Sequence, residues 1–295
     1  MWTRRALVRT GLAGAGLAGM AAGAWGFGYE PVFPLHLARY RPQPPGWPAG
    51  LRLRIAALAD LHAGAPLMTL DRVAEIVAAA NALQPDMVVL LGDYGPVSRL
   101  VPRPYPPEAV AEALSGLGAR WGRFAIAGNH DWWEDAAAMA REAGRPAMLR
   151  ALERAGFTVL QNEALRHPAG FWIAGLDSQI AFLPKRGWPR VGADDLPGTL
   201  AQARDEAPLI MLAHEPDIFA EAPARATLTL CGHTHGGQVR VLGYSPRVPS
   251  RYGNRYAYGH VREGGRDLIV SGGLGTSNIP VRFGVPPEIT LVELG

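Results

Sequence analysis

The chain has 295 residues, 48% of them hydrophobic and 19% charged. That is enough apolar material to bury one large core, and the composition is unlike that of a disordered polymer. The formal charge of +3 comes from Arg4, Arg5 and Arg9: without them 26 basic side chains face 26 acidic ones, so charge gives no support for nucleic-acid binding. The single cysteine, Cys231, rules out an intrachain disulfide and reads as a small buried apolar residue.

In chain order a leader comes first. Thr3-Arg4-Arg5-Ala6-Leu7-Val8-Arg9 precedes a Gly/Ala-rich apolar stretch over 11–28, with no acidic residue before Glu30. Paired arginines, a weakly hydrophobic stretch and an A-x-A site at Ala22-Gly23-Ala24 resemble a twin-arginine signal. That resemblance implies the twin-arginine machinery as a partner and a location outside the cytoplasmic membrane. A plain N-terminal membrane anchor is the alternative, since about 18 residues suffice to span a bilayer. Residues 29–50, with six prolines between Tyr29 and Pro48, read as an extended spacer. Residues 51–295 read as one catalytic domain.

Within that domain, apolar runs at 53–59, 87–91, 124–127, 171–174, 209–213 and 228–231 have the length and composition of strands. Thr69 caps an amphipathic helix reaching about residue 83, with Val73, Ile76, Val77 and Ala80 on one face. A second helix covers 107–117, and helix dominates 134–155 with a break near Gly144-Arg145-Pro146. Beyond Gly236 the pattern turns strand-rich and turn-rich. Alternating strands and helices, followed by antiparallel strands, predict an α/β fold of two packed mixed sheets with helices outside.

Five short segments carry the chemistry: Asp60-Leu61-His62, Gly92-Asp93, Gly128-Asn129-His130-Asp131, His214, and Gly232-His233-Thr234-His235. Five of the chain's eight histidines lie in them, and most follow a strand-like run, as residues delivered to a sheet's carboxyl-end rim do. In extended backbone, residues i and i+2 share a face, which would let Asp60 with His62, and His233 with His235, reach one ion together. Carboxylate, amide and imidazole donors without a thiolate suit Mn, Mg, Fe, Co or Zn. There are more donors than one ion needs. Two ions about 3.5–4 Å apart, bridged by Asp93, would use them all and serve in-line displacement at phosphorus.

These segments resemble the calcineurin-like metallophosphoesterases over 51–294, and the resemblance implies their four-layer α-β-β-α sandwich. It assigns Asp60, His62, Asp93 and His235 to one metal, and Asp93, Asn129, His214 and His233 to the other. His130 would be the uncoordinated catalytic histidine, acting beside a hydroxide shared by the two ions. Gly236-Gly237-Gln238, the glycine-rich run from Ser271 to Ser277 and Pro286-Pro287-Glu288 are similar to an exported bacterial branch. That branch cleaves phosphodiester or pyrophosphate bonds in lipid precursors and includes UDP-2,3-diacylglucosamine pyrophosphatases. Phosphoprotein phosphatases of the superfamily continue the Asp93 turn with Asp-Arg-Gly; here Gly95-Pro96-Val97-Ser98 follows instead, which argues against a Ser/Thr protein phosphatase.

Several features bear on substrate. Residues 98–107 mix Arg99 and Arg103 with Leu100, Val101 and Tyr105, suiting either a lid over an amphiphile or a Pro-rich connector. Trp132-Trp133 reads as core packing more readily than as a lipid-facing wall. Arg282, beside the glycine-rich run, is the candidate phosphate contact. The expected substrate is a phosphoester or pyrophosphate, with a lipid-linked nucleotide as one candidate, a membrane surface as a further partner and no nucleic acid. The rival readings are a non-catalytic metal-binding scaffold and a cyclic-nucleotide phosphodiesterase or nuclease.

Overall fold

The structure is a computed structural model that describes residues 16, 19–32, 34–97, 103–186 and 191–295. Two six-stranded sheets form its centre. The first is ordered β1 (His36–Tyr40), β14 (Glu288–Leu294), β2 (Leu53–Leu58), β4 (Met87–Leu90), β6 (Arg123–Ala125), β7 (Thr158–Val159). The second is ordered β12 (Gly259–Glu263), β13 (Arg266–Val270), β11 (Ala226–Cys231), β10 (Leu209–Leu212), β9 (Phe171–Gly175), β8 (Glu163–His167). A small ladder joins β3 (Gly64–Ala65) to β5 (Arg103–Pro104).

Strand alternation builds the layers. Ile55 and Ala57 face inward between the sheets with Met87, Val89, Ile173, Ile210, Leu230 and Ile269. Ala56, Leu58, Val88 and Leu90, one residue out of phase, face the helices. There they meet Val73, Ile76 and Ala80 of the helix Leu70–Ala82, and Val110 and Leu114 of the helix Pro107–Ser115. The outer face of the second sheet buries Met211, Cys231 and Val270 against Ile218 and Phe219. Both sheets are therefore apolar on both faces, which gives the predicted four-layer sandwich.

The helix expected after Thr69 begins where its hydroxyl accepts the Arg72 amide. The helical stretch expected over 134–155 is two short helices, Ala136–Arg141 and Ala147–Arg154, preceded by a further one at Asn129–Trp133. The break falls at Gly144 and Pro146, as the breaker residues require.

Two expectations are corrected. The 29–50 segment is no simple spacer: β1 lies within it and pairs in parallel with β14, His36 opposite Glu288. Prolines flank this edge strand without interrupting it. The chain end is also not a run of antiparallel strands. β12 and β13 are antiparallel, but β13 runs parallel to β11, and β14 crosses to the first sheet, antiparallel to β2. Residues 19–24 are helical and lead into one turn at Trp25–Tyr29; the paired arginines of the leader lie outside the described residues. Among the described residues, no helix is long and apolar enough to cross a membrane.

Candidate metal centre

All five motif segments meet at the same ends of the two sheets, just past β2, β4, β6, β10 and β11. Their backbone is not extended, so the i, i+2 strand argument is not how the donors converge. Asp60, His62, Asp93, His233 and His235 all have positive φ, between 48° and 71°. Such a conformation is unfavourable for non-glycine residues and concentrates at functional sites. It turns the chain sharply past β2, β4 and β11 and aims these side chains into one cavity. The intervening glycines are sterically required: a Cβ on Gly232 would stand 2.6 Å from Asp60 Oδ2, one on Gly92 would stand 2.8 Å from His214 Nδ1, and one on Gly128 would overlap Asp93 Oδ1.

Two three-residue donor clusters result, Asp60–His62–His235 and Asp93–His214–His233, each with ligand atoms within 4.8 Å of one another. Asp93 Oδ2 lies 3.2 Å from His214 Nε2 in its own cluster and 3.8 Å from His62 Nε2 in the other. Asn129 sits beside them with Oδ1 buried and lacking a hydrogen-bond partner. His214 Nε2 likewise lacks an aligned partner, the arrangement of donors aimed at a common third point.

The rings are preset as ligands. His62 Nδ1 lies 3.2 Å from the Gly95 carbonyl, and His214 Nδ1 lies 2.6 Å from the Leu91 carbonyl. A carbonyl can only accept, so each Nδ1 donates and Nε2 faces the cavity. Burial pushes His62 down to about 3 and His233 to about 4, and holds His235 well below the usual range with help from His62 and Arg282. These three imidazoles are neutral at pH 7, as ligation demands. His62 Nε2 and His235 Nε2 stand only 3.1 Å apart. Buried carboxylates, neutral imidazoles and an orphaned amide oxygen fit hard-to-borderline divalent cations.

The two carboxylates differ. Burial pushes Asp60 up to about 7. Burial would also raise Asp93, but the neighbouring His214 and His130 hold it well below the carboxylate range. Burial opposes a charge on His214, yet Asp93 holds its pKa well above the usual value. Protons on Asp60 and His214 thus occupy positions that cations would take.

His130 has its backbone N–H on Asp93 Oδ1 at 2.8 Å. Its ring packs edge-on to His62 at 5.6 Å and to Trp133 at 4.7 Å between centroids. Asp131 does not orient it. Both Asp131 oxygens are taken by backbone amides, of Asp93 (2.9 Å), Tyr94 (3.2 Å) and Gly128 (2.8 Å). Asp131 thereby clamps the Asp93 turn to the Asn129 turn, a role its sequence position did not reveal. The carboxylate facing His130 Nδ1 is Glu134, one helical turn on, at 3.7 Å.

Arg282 is a correction. It is fully buried, with Nε on the Gly275 carbonyl, NH1 on the carbonyls of Gly272 and Val285, and NH2 on Gly275 and 3.3 Å from His235 Nδ1. Every nitrogen is engaged with protein, so the guanidinium holds the glycine-rich loop and the back of a candidate ligand and does not touch phosphate. Trp132 is core, donating to Asp177 Oδ1 at 2.7 Å, whereas Trp133 walls His130 and donates to the carbonyls of Ile180 and Ala181. Cys231 is buried, and burial raises its thiol well above the usual range, which leaves it inert. Arg99, Leu100 and Val101 of the candidate lid lie outside the described residues; Arg103 pairs in β5.

The family model described as calcineurin-like phosphoesterase matches residues 53–237, more than half of the chain. The chain belongs to the calcineurin-like phosphoesterase family. It is a metal-dependent phosphoester hydrolase. The chain is 28% identical to the uncharacterized metallophosphoesterase YkuE of Bacillus subtilis, over 96% of this chain and 95% of that protein. An uncharacterized metallophosphoesterase of Aquifex aeolicus is 31% identical, covering 88% and 92%. Phosphodiesterase YaeI of Escherichia coli is 30% identical, covering 85% and 89%. A metal-dependent phosphoesterase needs its ionisable donors converged on one cavity, as they are here, and three of the four imidazoles in the two clusters are already neutral.

Metal affinity should rise with pH, because Asp60 below about pH 7 and His214 must each lose a proton to ligate. Calorimetric titration of metal-free protein with Mn²⁺ should show affinity falling about tenfold or more per unit from pH 7 to 5; a pH-independent affinity would refute the proton-for-cation exchange. Arg282→Met should lower thermal stability and retained metal while leaving KM for a small bis-aryl phosphodiester within about twofold, since uniform substrate binding is what KM alone reports. A large KM increase at full metal content would restore the phosphate-contact role.

Proposed function

We propose that the protein is a dinuclear phosphodiesterase or pyrophosphatase acting outside the cytoplasmic membrane, with a lipid-linked or nucleotide-lipid diphosphate as its substrate class. The observation that carries the dinuclear reading is Asp93: its Oδ2 lies between the clusters, within 3.8 Å of an imidazole nitrogen of each. Asp60, His62, Asp93 and His235 would hold one ion, and Asp93, Asn129, His214 and His233 the other. Divalent ions bound there supply Lewis-acid activation of water and neutralise charge on the phosphoryl oxygens.

The chain's own residues do the rest. His130 is outside both clusters, largely buried, and held against Trp133, so its ring can meet a phosphoryl or leaving oxygen without competing for a cation. In that position it donates a hydrogen bond to the charge that develops, or a proton to the departing oxygen. Asp131 keeps the Asp93 and Asn129 turns in register, and the Gly95 and Leu91 carbonyls hold His62 and His214 with Nε2 inward. The diester or diphosphate preference draws on the Asp93 turn, which lacks Asp-Arg-Gly, and on the relative named a phosphodiesterase. The location draws on Arg4-Arg5 and the apolar stretch that follows. A non-catalytic scaffold is disfavoured because no donor or catalytic histidine is missing.

Protein stripped of metal and reloaded with single divalent ions should hydrolyse a bis-aryl phosphodiester. His130→Gln should lower kcat by about 10²–10⁴ with metal retained, and Asp93→Asn should remove activity together with at least one ion. A lipid-linked nucleotide diphosphate should be cleaved in preference to cyclic nucleotides. Full activity in either variant defeats the mechanism, and preference for a cyclic nucleotide defeats the substrate class.

A further inference from the structure

Among the described residues, every strongly exposed large apolar side chain except Leu165 falls on three segments: the N-terminal helix and turn, a hairpin at 239–245, and the loop around Ile279. These segments are stitched together. The Arg282 amide donates to the Gly26 carbonyl at 2.9 Å, and Gly26 packs on Val281 and Phe283. Phe283 in turn exchanges backbone hydrogen bonds with Gln238 and Arg240, and Gln238 Nε2 reaches the Ile279 carbonyl at 3.2 Å. Gln238 is three residues past His235, so this surface borders the metal centre.

The hairpin tip is the informative part. Val241 and Tyr244 close a two-residue turn through reciprocal backbone bonds of 2.9 and 3.0 Å. Leu242 and Gly243 both have positive φ, 50° and 80°, a turn that favours Asn-Gly. Leucine is poorly suited to that backbone and its side chain is fully exposed, so neither turn chemistry nor core packing accounts for it. Val241 and Tyr244 beside it are also exposed.

Charge indicates what this surface meets. Residues 236–262 contain no acidic residue, and Arg240 and Arg247 have no carboxylate partner within 4.0 Å among the described residues. Residues 1–29 likewise contain no acid and include Arg4, Arg5 and Arg9. The apolar stretch of the leader runs into this same surface through the helix at 19–24. Apolar tips with arginines behind them that have no carboxylate partner match an anionic bilayer, whose interface takes up the side chains while its headgroups pair with the guanidiniums.

We propose that the 241–244 hairpin, Ile279 and the Trp25–Phe27 turn form a docking surface for an anionic lipid bilayer, setting the mouth of the metal centre at the membrane interface. This deepens the lipid-linked substrate reading but does not depend on turnover, because binding is measured without hydrolysis and hydrolysis of a soluble diester is measured without lipid.

The test uses the full chain and vesicles of phosphatidylglycerol or of phosphatidylcholine. A Leu242→Cys protein labelled with an environment-sensitive fluorophore should brighten and shift to the blue on phosphatidylglycerol vesicles, and a Leu165→Cys control should not. The triple change Val241→Ser, Leu242→Ser, Tyr244→Ser should weaken vesicle binding by about tenfold or more, and Arg247→Glu should weaken it in low salt. Activity on a soluble bis-aryl phosphodiester should stay within about twofold in each. An unchanged spectrum at position 242, equal binding to both lipids, or a lipid-free dimer broken by the triple change would overturn the proposal, the last by assigning the patch to a second copy of the chain.

Discussion

The interaction on which the rest depends is the mutual confinement of like-behaving groups. Asp60 and Asp93 are buried within a few ångströms of four imidazoles, and the cavity offers them few hydrogen bonds. Isolated charges in such a place are strongly disfavoured. Protons can relieve this in part, through raised pKa values on Asp60 and His214; divalent cations relieve it for the whole donor set. The fold is arranged to create that demand, since both sheets end at the cavity and the chain past β2, β4 and β11 turns through left-handed residues that close-packed glycines make room for.

Around that centre, supporting groups act on the ligands and not on the substrate. Backbone carbonyls fix His62 and His214, Asp131 binds two turns together through three amides, and Arg282 fills the space behind His235. The buried arginine has a consistent place here. Burial lowers it to about 10, so it remains charged, and its charge adds to the burial that keeps His235 unprotonated. Behind it, Glu288 accepts the Gly272 amide at 3.0 Å and the Tyr258 hydroxyl at 2.5 Å, which extends the support from the loop into β14. Outer partners of this kind set ring orientation and ligand basicity.

Much of this was legible in the sequence for simple physical reasons. Apolar runs ending in Asp or Gly gave the strands, and Thr69 and Pro146 marked helix boundaries that the structure places at Leu70 and Ala147. The resemblance carried by the five motif segments implied the division of the donors that the two clusters show. What was not legible depends on three-dimensional proximity. Arg282 lies in a glycine-rich loop, which suggests anion binding, but burial decided its role and burial does not follow from local sequence. Asp131 looked like a neighbour for His130; its carboxylate turns back to amides 38 residues away, at Asp93. β1 was hidden because prolines on both sides resemble a linker, although its His36–Tyr40 run needed only the edge of β14 to become a strand. The i, i+2 argument reached the Asp60–His62 pair by the wrong geometry, since a left-handed turn and an extended strand can both bring alternate residues together, and it failed for His233 and His235, which fall in different clusters.

Metal stoichiometry and position test the central claim most directly. Elemental analysis of the purified full chain, with anomalous diffraction at each metal's absorption edge, should find two ions per chain, one at Asp60–His62–His235 and one at Asp93–His214–His233, flanking the Asp93 carboxylate. A single ion, or cations bound elsewhere while these side chains stay paired only with protons, would contradict it.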